Sequence, residues 1–210
     1  MNSLEYFNKG IFASPEALEK LKSTEKARLI LISDTHGNVD TIIDILGREG
    51  KKSDAVLFSG DGLADFLNYI TISQYEKELM ECMPPVAALV MGNCDSKKYV
   101  LNLDAGKTGA DFGFKKNPEQ HLEFFEFIFL EACHKKILLT HGHEFYVDFE
   151  LNTLLNFARQ QDCSLAVFGH THVINISIQT IFKFENIIFF LINRSSSCII
   201  LSDFNDSFLD

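Results

Sequence analysis

Apolar and polar positions in the first half of the chain alternate between two periods. Short apolar runs of strand length lie at 28–32, 55–58 and 86–90, and each ends in a polar cluster. Between them, 39–46 and about 65–82 repeat apolar residues at the spacing of an amphipathic helix. This alternation predicts βα units and a parallel sheet. Because functional loops in such units follow the carboxyl ends of strands, the three polar clusters should share one edge of the sheet.

The second half of the chain has a different pattern. Residues 103–120 are rich in Asp, Lys, Gly and Asn and predict a surface loop or lid. After this loop, the pattern predicts a hairpin over 122–140 that turns at His134 and Lys135, and then a helix over 148–160. A strand over 165–168 and further strands over 173–210 would complete a second sheet.

The length of 210 residues fits one globular domain. We expect residues 1–26 to form an N-terminal extension and residues 27–210 to form the domain. In the extension, Ser14 and Pro15 predict the start of a helix that packs on the outside of the domain. The N-terminus has no basic start followed by an apolar run, and no stretch approaches the roughly 20 apolar residues of a membrane span, so no membrane association is expected.

The composition argues against one class of partner. With 29 acidic and 19 basic side chains, the formal net charge is -10. Binding of a long nucleic acid requires clustered Lys and Arg, so we expect none. An acidic chain is instead compatible with a cation site. Five cysteines are widely spaced without a CxxC pair, which predicts neither disulfides nor a zinc–thiolate site and favours a cytoplasmic location.

Metal-binding residue types follow five separate predicted strands. Glycines adjoin each cluster and allow sharp turns or a close backbone approach to a ligand. The clusters are Asp34 with His36, Asp61, Asn93, His141 with His143, and His170 with His172.

The donors in these clusters are oxygen and imidazole, without a thiolate. Such a set suits Mn²⁺, Fe²⁺, Co²⁺, Ni²⁺ or Zn²⁺ better than Ca²⁺. Seven ligands are too many for one ion. Two ions about 3.5 to 4 Å apart would share one carboxylate, activate a bridging water and hold a phosphate for in-line attack by the resulting hydroxide. Each of the five clusters alone is more often a helix cap, a turn or a surface histidine, but all five together favour a metal site.

The segments SDTHGN, SGDG, MGNCD, THGH and FGHTH resemble the calcineurin-like metallophosphoesterases, most closely the small YfcE-like phosphodiesterase group. The resemblance covers about residues 28–203. It implies an α/β fold in which two mixed sheets form a four-layer α/β/β/α sandwich, with two divalent metal ions at the strand ends. Mn²⁺ is the first choice for these ions, and Ni²⁺, Fe²⁺, Co²⁺ or Zn²⁺ are alternatives.

The same resemblance implies how the ligands divide between the ions. One ion would be held by Asp34, His36, Asp61 and His172, and the other by Asp61, Asn93, His141 and His170. Asp61 would then bridge the two ions. The implied activity is hydrolysis of a small phosphate ester, more often a diester than a monoester, with Asp61, Asn93 and His141 as the catalytic residues.

One position departs from the larger relatives. They place a histidine directly after Gly-Asn, where it assists the leaving group, whereas this chain has Cys94, as the small YfcE-like group does. We hypothesise that good leaving groups are favoured and that Cys94 is mainly structural. Asn93, Cys94 and His143 are the predicted substrate-binding residues. His143 either contacts the site or lies beneath it, and Asp65 either orients a metal-bound water or, in the preferred interpretation, caps a helix.

Two alternative functions compete with hydrolysis. A non-catalytic scaffold or adaptor would keep this fold, as the retromer subunit that resembles this family does, but such a protein typically lacks part of the histidine set. A nuclease acting on a long polymer is disfavoured by the net charge, whereas small nucleotides stay open as substrates. The phenylalanines Phe124, Phe125, Phe127, Phe129, Phe189 and Phe190 are expected in the core between the sheets, and any that face outward would offer a surface for a homo-oligomer.

Overall fold

The structure is a computed structural model that describes residues 9–102, 119–171, 176–179, 187–191 and 198–205. The described helices are α1 (Pro15–Ser23), α2 (Val39–Glu49), α3 (Leu63–Ser73), α4 (Lys77–Cys82) and α5 (Asn152–Gln160), with short 3₁₀ helices at Gly50–Lys52 and His143–Phe145. The described strands are β1 (Ile11–Ala13), β2 (Lys26–Ile32), β3 (Ala55–Phe58), β4 (Val86–Leu89), β5 (Lys98–Asn102), β6 (Glu119–Glu123), β7 (Phe127–Ala132), β8 (Lys135–Thr140), β9 (Leu165–Phe168), β10 (Ile176–Gln179), β11 (Ile187–Leu191) and β12 (Cys198–Asn205).

The first sheet has the strand order β1-β4-β3-β2-β12. Its three central strands, β2, β3 and β4, pair in parallel, as the βα alternation predicted. Their carboxyl ends therefore meet at one edge of the sheet. β1 and β12 flank them and both pair antiparallel. The prediction that all strands after residue 173 complete the second sheet is wrong for β12, which pairs with β2 and belongs to the first sheet.

The second sheet has the strand order β10-β11-β9-β8-β7. β8 pairs in parallel with β9, so the segments that follow these two strands also lie at one edge. The predicted hairpin is formed by β7 and β8. It turns at Cys133 and His134, one residue earlier than expected, and both have positive φ, of 50° and 60°. Such a pair matches the two-residue turn that suits strand twist.

Three hydrophobic clusters fill the spaces between the layers of the fold. One lies between the sheets and contains Leu29 and Leu57 of the first sheet with Ile137 and Leu139 of the second. Another joins the opposite face of the first sheet to α2 and α3. The third joins the opposite face of the second sheet to α5. The predicted mixed α/β fold is confirmed, and the clusters agree with the helix–sheet–sheet–helix order of the four-layer prediction.

The phenylalanines occupy more than the core between the sheets. Phe124 packs with the helices of the first sheet, and Phe125 packs against the cluster between the sheets. Phe127 and Phe129 contact Phe157 of α5, with ring centroids 5.1 and 6.4 Å away. The prediction that all these rings lie between the sheets was therefore wrong for three of them. The side chains of Phe189 and Phe190 lie outside the part that the structure describes.

The single helix predicted over 65–82 is two helices, α3 and α4. The chain turns after Ile72, where Tyr75 and Glu76 both donate to its carbonyl. A continuous helix of about 18 residues would extend about 27 Å and carry its apolar end beyond the sheet. The turn instead folds α4 back, and the Tyr69 hydroxyl donates to the Leu79 carbonyl at 2.8 Å. None of the described helices has the length and apolarity to cross a membrane.

Part of the expected N-terminal extension is built into the first sheet. β1 forms an edge of the first sheet through its pairing with β4. α1 begins as predicted, with Ser14 accepting a hydrogen bond from Ala17 N–H. The helix also meets the β7–β8 hairpin, where the Cys133 and His134 N–H groups donate to carbonyls of α1. The predicted loop over 103–120 lies mostly outside the described residues, but β5 and β6 pair at its two ends.

Candidate metal centre

The loops that follow β2 and β3 are tied together by backbone hydrogen bonds. Asp34 N–H donates to the Gly60 carbonyl at 2.9 Å, and His36 N–H donates to the Asp61 carbonyl at 3.1 Å. A further bond joins the two sheets, because His170 N–H donates to Asp34 Oδ2 at 3.3 Å. The loops after β2, β3, β4, β8 and β9 thus converge on one place, as the sequence predicted.

Four of the predicted ligands lie in the left-handed backbone region. Asp34, His36, Asp61 and His170 have φ values of 56°, 46°, 55° and 69°. Asp and His tolerate this region better than most residues, but each instance outside glycine costs on the order of 1 kcal/mol. Strained backbone that persists at the ends of separate strands is typical of functional sites.

Asp61 lies at the centre of the cluster and is only 3% exposed. Its Oδ2 is 3.5 Å from His141 Nε2 and 3.8 Å from His36 Nε2. Its Oδ1 accepts a hydrogen bond from Cys94 N–H at 2.8 Å. Burial alone would raise the pKa of Asp61, but the hydrogen bonds from His141 and Cys94 outweigh it and hold that pKa well below its usual range. The carboxylate is therefore ionised and faces two imidazoles.

Two groups of side chains have donor atoms close enough together to hold an ion. One contains His36, Asp61 and Cys94, and the other contains Asp34, Asp61 and His141; within each group the atoms lie within 4.8 Å of one another. Asp61 is common to both. Asn93 adjoins the second group, with Oδ1 3.1 Å from His141 Nε2. The arrangement thus has the donor chemistry for two cations that share one carboxylate.

The His141 ring is fully buried, and its hydrogen bonds fix its tautomer. Nδ1 is 2.7 Å from the Ser59 carbonyl, and because a carbonyl only accepts, Nδ1 carries a proton. Nε2 is then the atom directed at the cluster. Burial lowers the pKa of His141, but the bond and charge of Asp61 outweigh this and raise it. Without a metal, a proton on Nε2 supplies the positive charge that this cluster stabilises.

The remaining histidines lie at the border of the cluster. The His170 ring is 4.9 Å from that of His141, and its Nε2 is 2.7 Å from Asp148 Oδ2. The His143 ring lies 5.4 Å from that of His141, tilted by 60°, and its Nε2 is 2.8 Å from Glu144 Oε1. Burial and the two neighbouring imidazoles lower the pKa of His143, and burial raises the pKa of Glu144 to about 7. His172 lies outside the described residues.

Cys94 lies at the solvent side of the cluster. Asn93 Nδ2 donates to its Sγ at 3.4 Å, and the thiol is exposed. A hydrogen bond with Asp61, together with burial and nearby carboxylates, raises the pKa of Cys94. The side chain is therefore a neutral thiol near neutral pH when no metal is bound.

Asp95 positions the loops around Asp61, a role that the sequence interpretation missed. Its Oδ2 accepts from Asp61 N–H and Gly92 N–H at 2.8 and 2.9 Å. Its Oδ1 accepts from Gly62 N–H and Leu63 N–H at 3.0 and 2.9 Å. One carboxylate therefore holds the loops after β3 and β4 and the first turn of α3. The only signal in the sequence was an acidic residue directly after Gly-Asn-Cys.

Asp65 plays a similar part for the loop after β2. It was expected to cap a helix, but it lies inside the first turn of α3, where Gly62 is the capping residue. Its Oδ2 accepts from the Thr35 hydroxyl and from Gly37 N–H. Asp65 thus fixes the turn that carries Asp34 and His36, which is a positioning role that neither sequence interpretation described.

Gly92 is required by the close approach of the loop to Asp61. A Cβ at this position would overlap Asp61 Oδ1, so the backbone of the loop after β4 lies directly against the carboxylate. Gly169 makes the equivalent approach from the second sheet, since a Cβ there would overlap the side chains of Ser33 and Asp34. These two glycines let the loops meet at the cluster.

Comparison with solved structures shows the same fold in other proteins. A conserved protein of Streptococcus pneumoniae TIGR4, described as a predicted phosphoesterase, is 23% identical with a TM-score of 0.51, over 81% of this chain and 74% of that one. A single mutant of Vps29 from Entamoeba histolytica is 17% identical with a TM-score of 0.53, over 86% and 87%. At these identities the likeness concerns the fold.

Comparison with family models agrees with this fold. No curated protein sequence matches the chain. The model for the calcineurin-like phosphoesterase superfamily domain, however, matches residues 28–190, which include every predicted ligand. The matched segment spans the strands whose ends converge on Asp61, and so the chain belongs to the calcineurin-like phosphoesterase superfamily.

Proposed function

We propose that this protein is a metal-dependent phosphoesterase that acts preferentially on small phosphodiesters. The observation that carries the proposal is the position of Asp61, whose Oδ2 lies 3.5 Å from His141 Nε2 and 3.8 Å from His36 Nε2. A carboxylate shared by two potential ion-binding groups is what a bridged pair of divalent cations requires. Hydrolysis is therefore the function that this arrangement supports best.

The residues at the site fit two divalent cations. Asp34, His36, Asp61 and His172 are proposed to hold one ion, and Asp61, Asn93, His141 and His170 the other. Carboxylate, amide and imidazole donors favour Mn²⁺, with Ni²⁺, Fe²⁺, Co²⁺ and Zn²⁺ as alternatives. When bound, such a pair supplies a nucleophilic hydroxide and neutralises the charge of the phosphate.

The chain itself prepares the site for these ions. Asp95 and Asp65 fix the loops, so the donors are placed before any cation arrives. The Ser59 carbonyl holds the proton of His141 on Nδ1 and leaves Nε2 to bind. For His141 to bind a cation through Nε2, a proton on that nitrogen would first have to leave. Metal binding is thus expected to release a proton and to strengthen as pH rises.

The chemistry of the site favours substrates that have good leaving groups. The pKa of Cys94 is raised by Asp61, so its thiol is a poor proton donor near neutral pH. Asn93 and His143 are the other proposed substrate contacts, and the His143 ring lies 5.4 Å from that of His141. Activated esters and diesters with stable leaving groups should therefore turn over fastest.

A non-catalytic scaffold is the second candidate function. The observation that favours it is the fold shared with Vps29 of E. histolytica, a likeness of 17% identity. A scaffold has no need for a buried, ionised carboxylate directed at two imidazoles. In the described residues Asp34, His36, Asp61, Asn93, His141 and His170 all lie at one site, and this favours the enzyme.

The proposal is tested by removing and restoring metals. Purified protein is stripped with a chelator, reloaded with single metals, and assayed on bis-p-nitrophenyl phosphate and p-nitrophenyl phosphate. We expect Mn²⁺ to restore turnover, faster on the diester, and Asp61→Ala and Asn93→Ala to lower it by about 100-fold or more. The matched control is Asp44→Ala, which removes a carboxylate paired with Arg48 on the surface of α2. Absence of metal-dependent turnover on both esters would refute the proposal.

A further inference from the structure

Two exposed aromatic side chains lie on the segment that leads away from His141. Tyr146 is 65% exposed and Phe149 is 87% exposed. Tyr146 directly follows the 3₁₀ helix His143–Phe145, and Phe149 comes three residues later. Single exposed aromatics are common on protein surfaces, but these two lie three residues apart on one short segment beside a candidate active site.

This segment is anchored rather than loosely attached. Phe145 and Val147 flank Tyr146 and are buried, 8% and 6% exposed, in the cluster that joins the second sheet to α5. Phe149 N–H and Glu150 N–H both donate to the Tyr146 carbonyl, at 3.0 and 3.2 Å. The rings are thus presented by a fixed turn, and binding to them would not require the turn to order first.

The backbone at Tyr146 is also strained. Its φ of 56° and ψ of 38° place an aromatic residue in the left-handed region, which bulky side chains seldom adopt. A strained conformation persists only where the surrounding structure enforces it, and such residues cluster at binding and active sites.

The same segment touches the proposed metal centre. Asp148, between the two exposed rings, has Oδ2 2.7 Å from His170 Nε2. The His170 ring is in turn 4.9 Å from the ring of His141. Because neighbouring Cα atoms are about 3.8 Å apart, the Cα of Phe149 lies at that distance from the Cα of Asp148, whose side chain contacts the proposed ligand His170.

The geometry points to an aromatic platform, made of Tyr146 and Phe149, that stacks on a nucleobase carried by the phosphodiester substrate. This inference rests on the proposed function and names its substrate class: diesters with one nucleoside arm. Aromatic faces stack on any base with little regard to sequence. The carboxylates of Glu144, Asp148 and Glu150 on the same segment disfavour a second phosphate there and favour an uncharged ring.

A fluorescence titration tests the platform without measuring turnover. The chain contains no tryptophan, so Phe149→Trp introduces a unique reporter. In the metal-loaded protein we expect adenosine 5′-monophosphate to quench this fluorescence by stacking and ribose 5-phosphate to leave it unchanged.

The matched control is Tyr75→Trp. Tyr75 is 70% exposed and follows the far end of α3, a helix of 11 residues that is about 16 Å long and begins at the site. Equal quenching of both variants, or quenching by ribose 5-phosphate as strong as by the nucleotide, would overturn the platform.

A kinetic comparison tests the substrate class. Thymidine 5′-(p-nitrophenyl phosphate) and methyl p-nitrophenyl phosphate share a leaving group and differ in the second arm. We expect the ratio of their kcat/KM values, nucleoside over methyl, to fall about 10-fold in Phe149→Ala and in Tyr146→Ala, through KM, and to stay unchanged in Tyr75→Ala.

The outcomes separate the platform from the proposed function. An unchanged ratio in both platform variants rejects the platform while hydrolysis stands. If wild type hydrolyses neither ester, the proposed function fails, and the fluorescence titration still decides whether the rings bind a base. A change of oligomeric state in Phe149→Ala, without loss of nucleotide binding, would assign the rings to self-association and reject the platform.

Discussion

Replacing Asp95 with asparagine should destabilise the protein more than its position beside the site suggests. The carboxylate accepts four backbone N–H groups at 2.8 to 3.0 Å, two on each oxygen. An asparagine keeps one acceptor oxygen and turns an NH₂ group toward two of these donors. Two N–H groups lose their acceptor and meet another donor instead.

The magnitude follows from the hydrogen bonds and from burial. Bonds to a charged group contribute about 1.5 to 3 kcal/mol each, so four would sum to roughly 6 to 12 kcal/mol. Burial, however, raises the pKa of Asp95 despite the four donors, so the ionised carboxylate also carries a desolvation cost. We therefore expect the free energy of unfolding to fall by about 3 to 5 kcal/mol, which lowers Tm by roughly 10 °C for a chain of this length.

Urea and thermal unfolding of metal-free protein measure this change, and Asp54→Asn is the matched control. Asp54 Oδ2 accepts a single backbone N–H, from Arg28 at 2.8 Å, in the same sheet. Its substitution should cost about 1 kcal/mol. If Asp95→Asn proves no more destabilising than Asp54→Asn, the four hydrogen bonds do not organise the loops and the reasoning is refuted.

Three further predictions concern stability. Gly47→Ala, in α2 with open space around the new Cβ, should stabilise the protein by about 0.5 to 1 kcal/mol. Gly92→Ala, whose Cβ would overlap the Asp61 carboxylate, should destabilise it by at least about 1 to 3 kcal/mol. Chemical denaturation measures both changes, and equal effects would contradict the packing described at the two positions. In metal-free protein the raised pKa of His141 contributes stability that is fully present below its unfolded pKa of about 6.5 and is lost as pH rises through the folded pKa. Between about pH 6 and about pH 9, the free energy of unfolding should therefore fall more for wild type than for His141→Gln. An equal fall in both proteins would disprove the coupling between His141 protonation and stability. Tyr69→Phe removes the hydrogen bond from α3 to α4 and should lower Tm by about 2 to 4 °C, measured by calorimetry, and an unchanged Tm would show that the bond contributes nothing.

The positions of the metal-binding residues were predictable because two simple rules suffice for them. Apolar runs of four or five residues bounded by glycine identify β3, β4 and β9 almost to the residue. Parallel strands then bring their carboxyl ends to one edge, so Asp34, Asp61 and Asn93 had to lie close together. Neither rule depends on distant contacts.

Features that depend on distant contacts were not predictable. Phe127, Ile128, Phe129 and Leu130 are all apolar, so alternation cannot tell which face of β7 meets the other sheet. The pairing of β12 with the first sheet is likewise decided by a partner about 170 residues earlier in the chain.

The positioning residues Asp95 and Asp65 were hidden for a related reason. An acidic residue beside a glycine turn has many ordinary roles. The four donors to Asp95 and the two donors to Asp65 can be identified only when the separate loops are brought together in the fold. The four non-glycine residues with positive φ at the site were equally invisible, because residue type alone does not reveal that Asp or His is held in the left-handed region.

Electron paramagnetic resonance of the Mn²⁺-loaded protein tests the central claim that Asp61 joins two metal ions. Stripped protein is titrated with Mn²⁺ in parallel for wild type, Asp61→Ala and the surface control Asp44→Ala. We predict that wild type and the control bind two ions and give the spectrum of a spin-coupled pair, whereas Asp61→Ala gives only uncoupled Mn²⁺. A coupled pair that persists without Asp61, or a wild type that binds a single ion, would contradict the account.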